Sequence, residues 1–407
     1  MGDSYHCMLA DSGYWQIEWW TMKSGVWVSR PVITRTAAYS TGTFVITDTD
    51  TGRESVFVYT TDDAPRYSDD DGLTWQSPGG RYSSSNRFEY MFTNVEAREL
   101  VGVTSGGNVY VVTDPWEGQF VSQGYLPRRG EFGLYTSVYM DDSGRLHLVN
   151  SSREDHKLYY CYSDNYGASW SSEITLDVFD PAYHSHGHIN NCGYPVCTGW
   201  GDDVHIAYWD HWSSPYDPEP GVYQINRSWT KRFYSPDRGV TWNTVPSFER
   251  ERLTLHADYM TYHRGRMEDT MNFSLHVNSE RLHMLWSVDY LWEDPPWPFT
   301  TVADQYETYM STWSEPSTAP TDVIRDIEPG DGVTTAFIQG FNSSWRWYGG
   351  DDFGSVWCCN SADPDLEGLY YYTANTRYRL RPEGDWFSSR TPMFVDWTPR
   401  GGHAFWW

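Results

Sequence analysis

The residue types best able to do chemistry crowd into one stretch. Residues 183–194 read Tyr-His-Ser-His-Gly-His-Ile-Asn-Asn-Cys-Gly-Tyr, followed by Pro195-Val196-Cys197. His184, His186 and His188 alternate, and alternate residues of an extended chain share a face. Imidazole and thiolate are zinc ligands, so His184, His186, Cys192 and Cys197 form a candidate metal set. The other reading is a His-rich loop without metal, its two cysteines unpaired or joined in a disulfide. Three further segments carry comparable groups. Ser151–Lys157 contains Arg153, Asp155 and His156; Asp210–Thr230 contains His211, Tyr223 and Arg227; Tyr259–Arg266 contains His263, Arg264 and Arg266. Tyr, His and Arg together can supply what β-elimination next to a carboxylate requires: a base, a proton donor to the leaving oxygen, and a cation on the carboxylate. Glycoside hydrolysis would instead need two facing carboxylates. With 55 Asp and Glu in the chain, such a pair stays open.

These segments need a frame to hold them, and the frame is written as a repeat. Ser68-Asp69-Asp70-Asp71-Gly72-Leu73-Thr74-Trp75, Ser163-Asp164-Asn165-Tyr166-Gly167-Ala168-Ser169-Trp170 and Ser235-Pro236-Asp237-Arg238-Gly239-Val240-Thr241-Trp242 share the pattern S-x-[DN]-x-G-x-[ST]-W. The Asp or Asn is expected to cap a hairpin turn through backbone N–H groups, and the Gly to take a positive φ. Each Trp is expected to pack between neighbouring sheets. His147, His205 and His283 recur at one position of a second repeat, in Arg145–Val149, Asp203–Ala207 and Arg281–Leu285. That recurrence reads as packing or strand pairing first. Comparable strands without the His fall at Ser55–Tyr59, Asn108–Val112 and Ser355–Cys359.

The termini complete the count. Met393–Trp397 and His403–Trp407 read as two strands, and Tyr5–Trp20 as two more, interrupted by the worn turn Asp11-Ser12-Gly13-Tyr14-Trp15. Joined, they make one blade from both ends of the chain, added to six units centred near residues 57, 110, 147, 205, 283 and 357. The expected fold is all-β: a single domain over residues 1–407, a seven-bladed β-propeller of four-stranded antiparallel blades closed by strands from both termini. Asp294–Pro298 and Pro215–Pro220 read as surface loops.

Composition narrows the partners. The formal net charge is −26 and lysine occurs only at Lys23, Lys157 and Lys231, which excludes a basic face for nucleic acid. No run of 18 apolar residues suggests a membrane helix. The 23 Trp and 31 Tyr suit both blade cores and a groove that stacks on sugar rings. Six cysteines in 407 residues are too sparse for a disulfide scaffold. No signal peptide is visible at Met1.

The three turns resemble the Asp-box, or BNR, repeats of sialidase-like propellers, in which the boxes are structural and lie away from the active face. The sialidase F/Y-R-I-P motif is missing. Gly193-Tyr194-Pro195, the short hairpin after it, Val204–Trp209 and the following polar loop resemble the propeller lyases that degrade ulvan and related uronate polysaccharides. That resemblance implies that Tyr194, with His188 nearby, removes the proton at C5 of a uronic acid, and that an Arg neutralises the carboxylate. Here the polar loop opens with Asp210-His211 rather than with Arg, so Arg227 takes that role; Tyr135 stands where those lyases tend to place a His. Arg153, His156 and His211 complete the candidate catalytic set. The expected partner is an acidic polysaccharide or oligosaccharide, met outside the cell by a secreted monomer, with no nucleic acid and no membrane. No cofactor is required for such chemistry; a structural zinc or calcium is the only one expected. The alternatives are a glycoside hydrolase on the same frame and a non-catalytic glycan-binding propeller.

Overall fold

The computed structural model describes the backbone of residues 5–11, 16–23, 26–30, 41–48, 53–60, 65–70, 72–79, 88–94, 99–104, 106–128, 136–152, 155–178, 193–213, 226–250, 264–268, 273–277, 282–294, 300–313, 322–325, 336–349, 352–361, 368–373, 376–382 and 390–396, with side chains chiefly within 53–79, 100–178, 195–208 and 231–244. Every element among them is a β-strand, and all pairings are antiparallel.

The strands follow one another as successive small sheets. The first holds β1 (Tyr5–Asp11), β2 (Gln16–Lys23) and β3 (Val26–Ser29); the second β4 (Thr41–Asp48), β5 (Arg53–Thr60) and β6 (Arg66–Ser68). The third holds β7 (Phe88–Asn94), β8 (Glu99–Thr104), β9 (Asn108–Asp114) and β10 (Gln119–Tyr125); the fourth β11 (Thr136–Met140), β12 (Leu146–Ser152), β13 (Lys157–Ser163) and β14 (Ile174–Val178). The fifth holds β15 (Gly193–Trp200), β16 (Asp203–Ser213), β17 (Asn226–Ser235) and β18 (Asn243–Arg250). In the sixth, β19 (Arg264–Glu268) and β20 (Phe273–Val277) both pair with β21 (Leu282–Asp294), which pairs with β22 (Thr300–Trp313) and through it with β23 (Asp322–Arg325). The seventh holds β24 (Ala336–Gly349), β25 (Asp352–Ser361), β26 (Gly368–Thr373) and β27 (Thr376–Pro382). Last, β28 (Arg390–Asp396) returns to pair with β1, from Tyr5 opposite Asp396 to Asp11 opposite Arg390.

Two details correct the sequence reading. Among the described residues the terminal sheet takes three strands from the N-terminal end, where two were expected, and one from the C-terminal end. Val26-Trp27-Val28, β-branched and aromatic, follows β2 after only two residues and supplies the extra strand; His403–Trp407 lies outside the described residues. Asn108–Val112 is the third strand of its sheet, whereas His147 and His205 sit on second strands. The third sheet therefore has its turn at Asp114–Gly118, and Trp116 on it stacks edge-on against Phe57 of the preceding sheet, ring centroids 5.8 Å apart.

All three S-x-[DN]-x-G turns close with the same bonds. Ser68 Oγ accepts Gly72 N–H at 2.8 Å, and Asp70 Oδ1 accepts Thr74 N–H at 2.8 Å. Ser163 with Gly167 and Asn165 with Ser169 repeat this at 2.8 and 2.9 Å; Ser235 with Gly239 and Asp237 with Thr241 repeat it at 2.7 and 2.7 Å. The second and third of these turns deliver their Trp onto the sheet before them. Trp170 packs against a core of Val101, Val103, Val109, Leu126, Val138 and Leu148 shared by the third and fourth sheets. Trp242 meets Tyr160 of the fourth sheet edge-to-face, 4.6 Å between ring centroids. Burying these two rings between sheets is the main apolar gain of their turns.

Candidate functional site

Strand register brings several sequence candidates to the end of the sheets opposite those turns. In the fifth sheet Ser235, which opens the turn, pairs with Val204; at the far end Ser213 pairs with Asn226. Tyr194 lies one residue inside the start of β15, where Gly193 faces Trp209. Along β16 from Trp209, His211 faces Ser228 and Trp212 faces Arg227. At the strand rise of about 3.4 Å per residue, Arg227 stands roughly 10 Å further out along the strand direction than the Gly193–Trp209 pair, and Tyr194 lies one residue inward of that pair. His156 occupies the matching end of the fourth sheet, in the connection from β12 to β13, half-buried with φ 53.

His211 and Arg227 are on strands, not in the loop expected over Asp210–Thr230: β16 and β17 extend through Ser213 and from Asn226. The reason is composition, since Trp209, Trp212, Trp229 and Thr230 all favour a ladder. Arg264 and Arg266 likewise fall on β19. His188, Arg153, His184, His186, Cys192, Tyr135, Tyr223 and His263 lie outside the described residues. Cys197 is a free, buried thiol on β15, and burial pushes its pKa well up. Among the described residues no group of three or more His, Cys, Asp or Glu is arranged to hold a metal ion.

Two histidines of the second repeat, His147 and His205, share a strand position and little else; the side chain of His283 lies outside the described residues. His147 is fully buried between Tyr160 Oη at 2.8 Å and Asp141 Oδ2 at 3.3 Å. These partners select one tautomer: Nε2–H donates to the carboxylate and Nδ1 accepts the Tyr160 hydroxyl. Asp141 also accepts Arg238 Nε–H at 2.8 Å, across to the third S-x-[DN]-x-G turn, and the N–H groups of Ser143 and Arg145 at 3.0 and 2.9 Å. Burial alone would raise the Asp141 carboxyl, but the bonds from His147, Arg238 and Ser143 hold it well below the usual range. Sequence reasoning missed this network; its one local signal is the turn sequence Asp141-Asp142-Ser143-Gly144. His205 is just as buried, stacked on Tyr234 with centroids 5.1 Å apart, yet neither ring nitrogen has a hydrogen-bond partner among the described residues. Burial, with Arg232 nearby, pushes its pKa down to about 3. Both are packing residues, as the recurrence suggests.

Opposite consequences follow for substitution. His147→Leu strips a donor from Asp141 and an acceptor from Tyr160, and should cost about 2–3 kcal/mol. His205→Leu removes two unsatisfied nitrogens and should leave the urea midpoint unchanged or raised near pH 7.5. Both histidines have pKa values below their unfolded value of about 6.5, so their stability contribution is complete above that pH and is lost as pH falls. At pH 5 the shift of His205 opposes folding by about 2 kcal/mol, and His205→Leu should regain it. Urea unfolding of parent and variants at pH 5 and 7.5 checks this; equal pH dependence in parent and His205→Leu would refute it.

No protein-family model matches the chain, and no curated protein matches it in sequence. Similar solved structures include an ulvan lyase described as a new family of polysaccharide lyase, 11% identical over 84% of this chain and 86% of that one, TM-score 0.46. They also include the β-propeller domain of the Trilobed protease from Pyrococcus furiosus, 8% identical over 94% and 96%, TM-score 0.44, and the GH74 enzyme of Niastella koreensis, 10% identical over 98% and 80%, TM-score 0.33.

Proposed function

We propose that the seven sheets are blades of one closed propeller of the Asp-box type. We further propose that the end opposite the S-x-[DN]-x-G turns degrades an acidic polysaccharide by β-elimination. The ring is supported by which strands adjoin: β4 lies beside β7, β7 beside β11, β11 beside β15, β15 beside β20, β20 beside β24, and β24 beside β28, which adjoins β4. In this reading Tyr194 and His188 share the acid–base work on a uronic acid and Arg227 neutralises its carboxylate. His211, Arg153 and His156 complete the proposed catalytic set. The observation that carries it is the register gathering Tyr194, His211 and Arg227 at one end of one sheet, away from the structural turns. The substrate is met outside the cell, by a monomer.

The test uses the purified chain and a panel of uronate polysaccharides. Elimination leaves a conjugated double bond, so ultraviolet absorbance should grow with each cleavage. New reducing ends without absorbance would establish a hydrolase, and retention on the polysaccharide with neither signal a binding protein; both results would refute the lyase.

A further inference from the structure

Near His156 stands an arginine that belongs to no motif. Arg128 lies between β10 and β11, on the connection from the third sheet to the fourth, with φ 54. Its Nη1 donates to Asp155 Oδ2 at 2.7 Å. Its Nε and Nη2 donate to the two oxygens of Glu173 at 2.8 and 3.2 Å. The guanidinium lies 3.8 Å from the centroid of Tyr159, and the Tyr159 hydroxyl donates to Asp155 Oδ2 at 2.9 Å. Asp155 N–H in turn bonds Ser152 Oγ at 3.2 Å, closing the turn on itself.

An exposed ion pair alone would count for little. This one is different in kind: a two-pronged grip on Glu173, a second carboxylate and an aromatic face are satisfied by one planar group, which lysine cannot imitate. The grip also coincides with backbone strain. Arg128 and His156, both non-glycine, hold left-handed conformations, and such residues persist only where their surroundings fix them. With Nε, Nη1 and Nη2 turned to Asp155 and Glu173, Arg128 is not placed to take a substrate carboxylate as well.

We propose that Arg128 is a positioning residue for His156: by gripping Asp155 from a neighbouring connection, it fixes the turn that presents the His156 ring. This rests on the reading that His156 belongs to the catalytic set, and extends it to a residue that does not itself face substrate. The bonds from Tyr159 and Arg128 also hold the Asp155 carboxyl below its usual range, keeping it charged for the grip.

The experiment compares the parent with Arg128→Ala and Arg128→Lys, all as the full chain, by amide hydrogen exchange and by kinetics on a uronate polysaccharide. In Arg128→Ala, exchange within residues 152–159 should rise on the order of tenfold. Its kcat should fall roughly 10–100-fold, the scale expected for a displaced catalytic group, with KM within about twofold. The acidic limb of the pH–rate profile should shift as well, which mere loss of stability would not cause. Arg128→Lys should recover only part of kcat. A folded Arg128→Ala with unchanged exchange, or with parental kcat and pH profile, overturns the inference. A parent that eliminates no uronate fails the functional reading instead, and the exchange comparison then decides the grip by itself: unchanged exchange overturns it.

Discussion

Tyr194→Phe should lower the rate of uronate elimination by about 10²–10⁴-fold, the usual scale of general acid–base catalysis. The change removes one oxygen and keeps the ring, so packing at the start of β15 is preserved and the melting temperature should move little. β15 is the strand of its sheet that adjoins β11 and β20 of the neighbouring sheets, and Tyr194 is one residue in from its end. A tyrosine titrates ordinarily near pH 10, so it needs nearby positive charge to act as a base at neutrality. Arg227, three β16 positions beyond Trp209 in register, is the proposed source, and Arg227→Ala should move the basic limb of the pH–rate profile upward as well as raise KM. A Phe variant as active as its parent on a substrate that the parent demonstrably eliminates would end the assignment of Tyr194. The bland role, an aromatic at a strand start, would then be all that remained.

Gly239→Ala should cost on the order of 3 kcal/mol of stability while leaving activity per folded molecule unchanged. Two penalties combine. The backbone at Gly239 has φ 83, where an L side chain pays about 1–2 kcal/mol. A Cβ there would also collide with the Tyr160 hydroxyl, which accounts for a further 1–3 kcal/mol of overpacking. Tyr160 is poorly able to yield, being fully buried, bonded to His147 and capped by Trp242. Gly167→Ala, at φ 87, brings its Cβ to 2.9 Å from Val109 Cγ1 and should cost less, because that approach is less close than the one Tyr160 makes to Gly239. Urea midpoints give the order directly. If Gly239→Ala is no less stable than Gly167→Ala, the close approach to Tyr160 is not what keeps the glycine.

The S-x-[DN]-x-G turns were legible in the sequence because each is closed by residues within a few positions of one another. Ser235, Asp237, Gly239 and Thr241 carry their own geometry, and the same bonds recur wherever the pattern does. The return of the C-terminal strand to the N-terminal sheet was legible too, since each end looked like part of a sheet lacking partners. How that sheet divides was not, because Val26-Trp27-Val28 carries no turn motif to mark it as a blade strand. Nor could the sequence separate His147 from His205. The repeat assigns them one position, and the difference lies in Asp141 and Tyr160, which stand at other places along the chain. Arg128 was invisible for the same reason: its partners Asp155 and Glu173 are 27 and 45 residues away, and no spacing rule connects them. Of the proposed catalytic set, the sequence supplied residue types and order, and strand register supplied the shared end of the fifth sheet.

The pairing of β1 with β28 also has a consequence for how the protein is made. Each of the other sheets is drawn from one stretch of chain and can form soon after that stretch leaves the ribosome. The terminal sheet cannot, because Asp11 must wait for Arg390. At about 5–20 residues per second, that wait lasts roughly 20–80 s. Throughout it, one edge of β1 offers unpaired N–H and C=O groups to any other nascent strand. The arrival of β28 is therefore also the step that withdraws the edge of β1 from aggregation, so that β28 serves as a built-in edge cap.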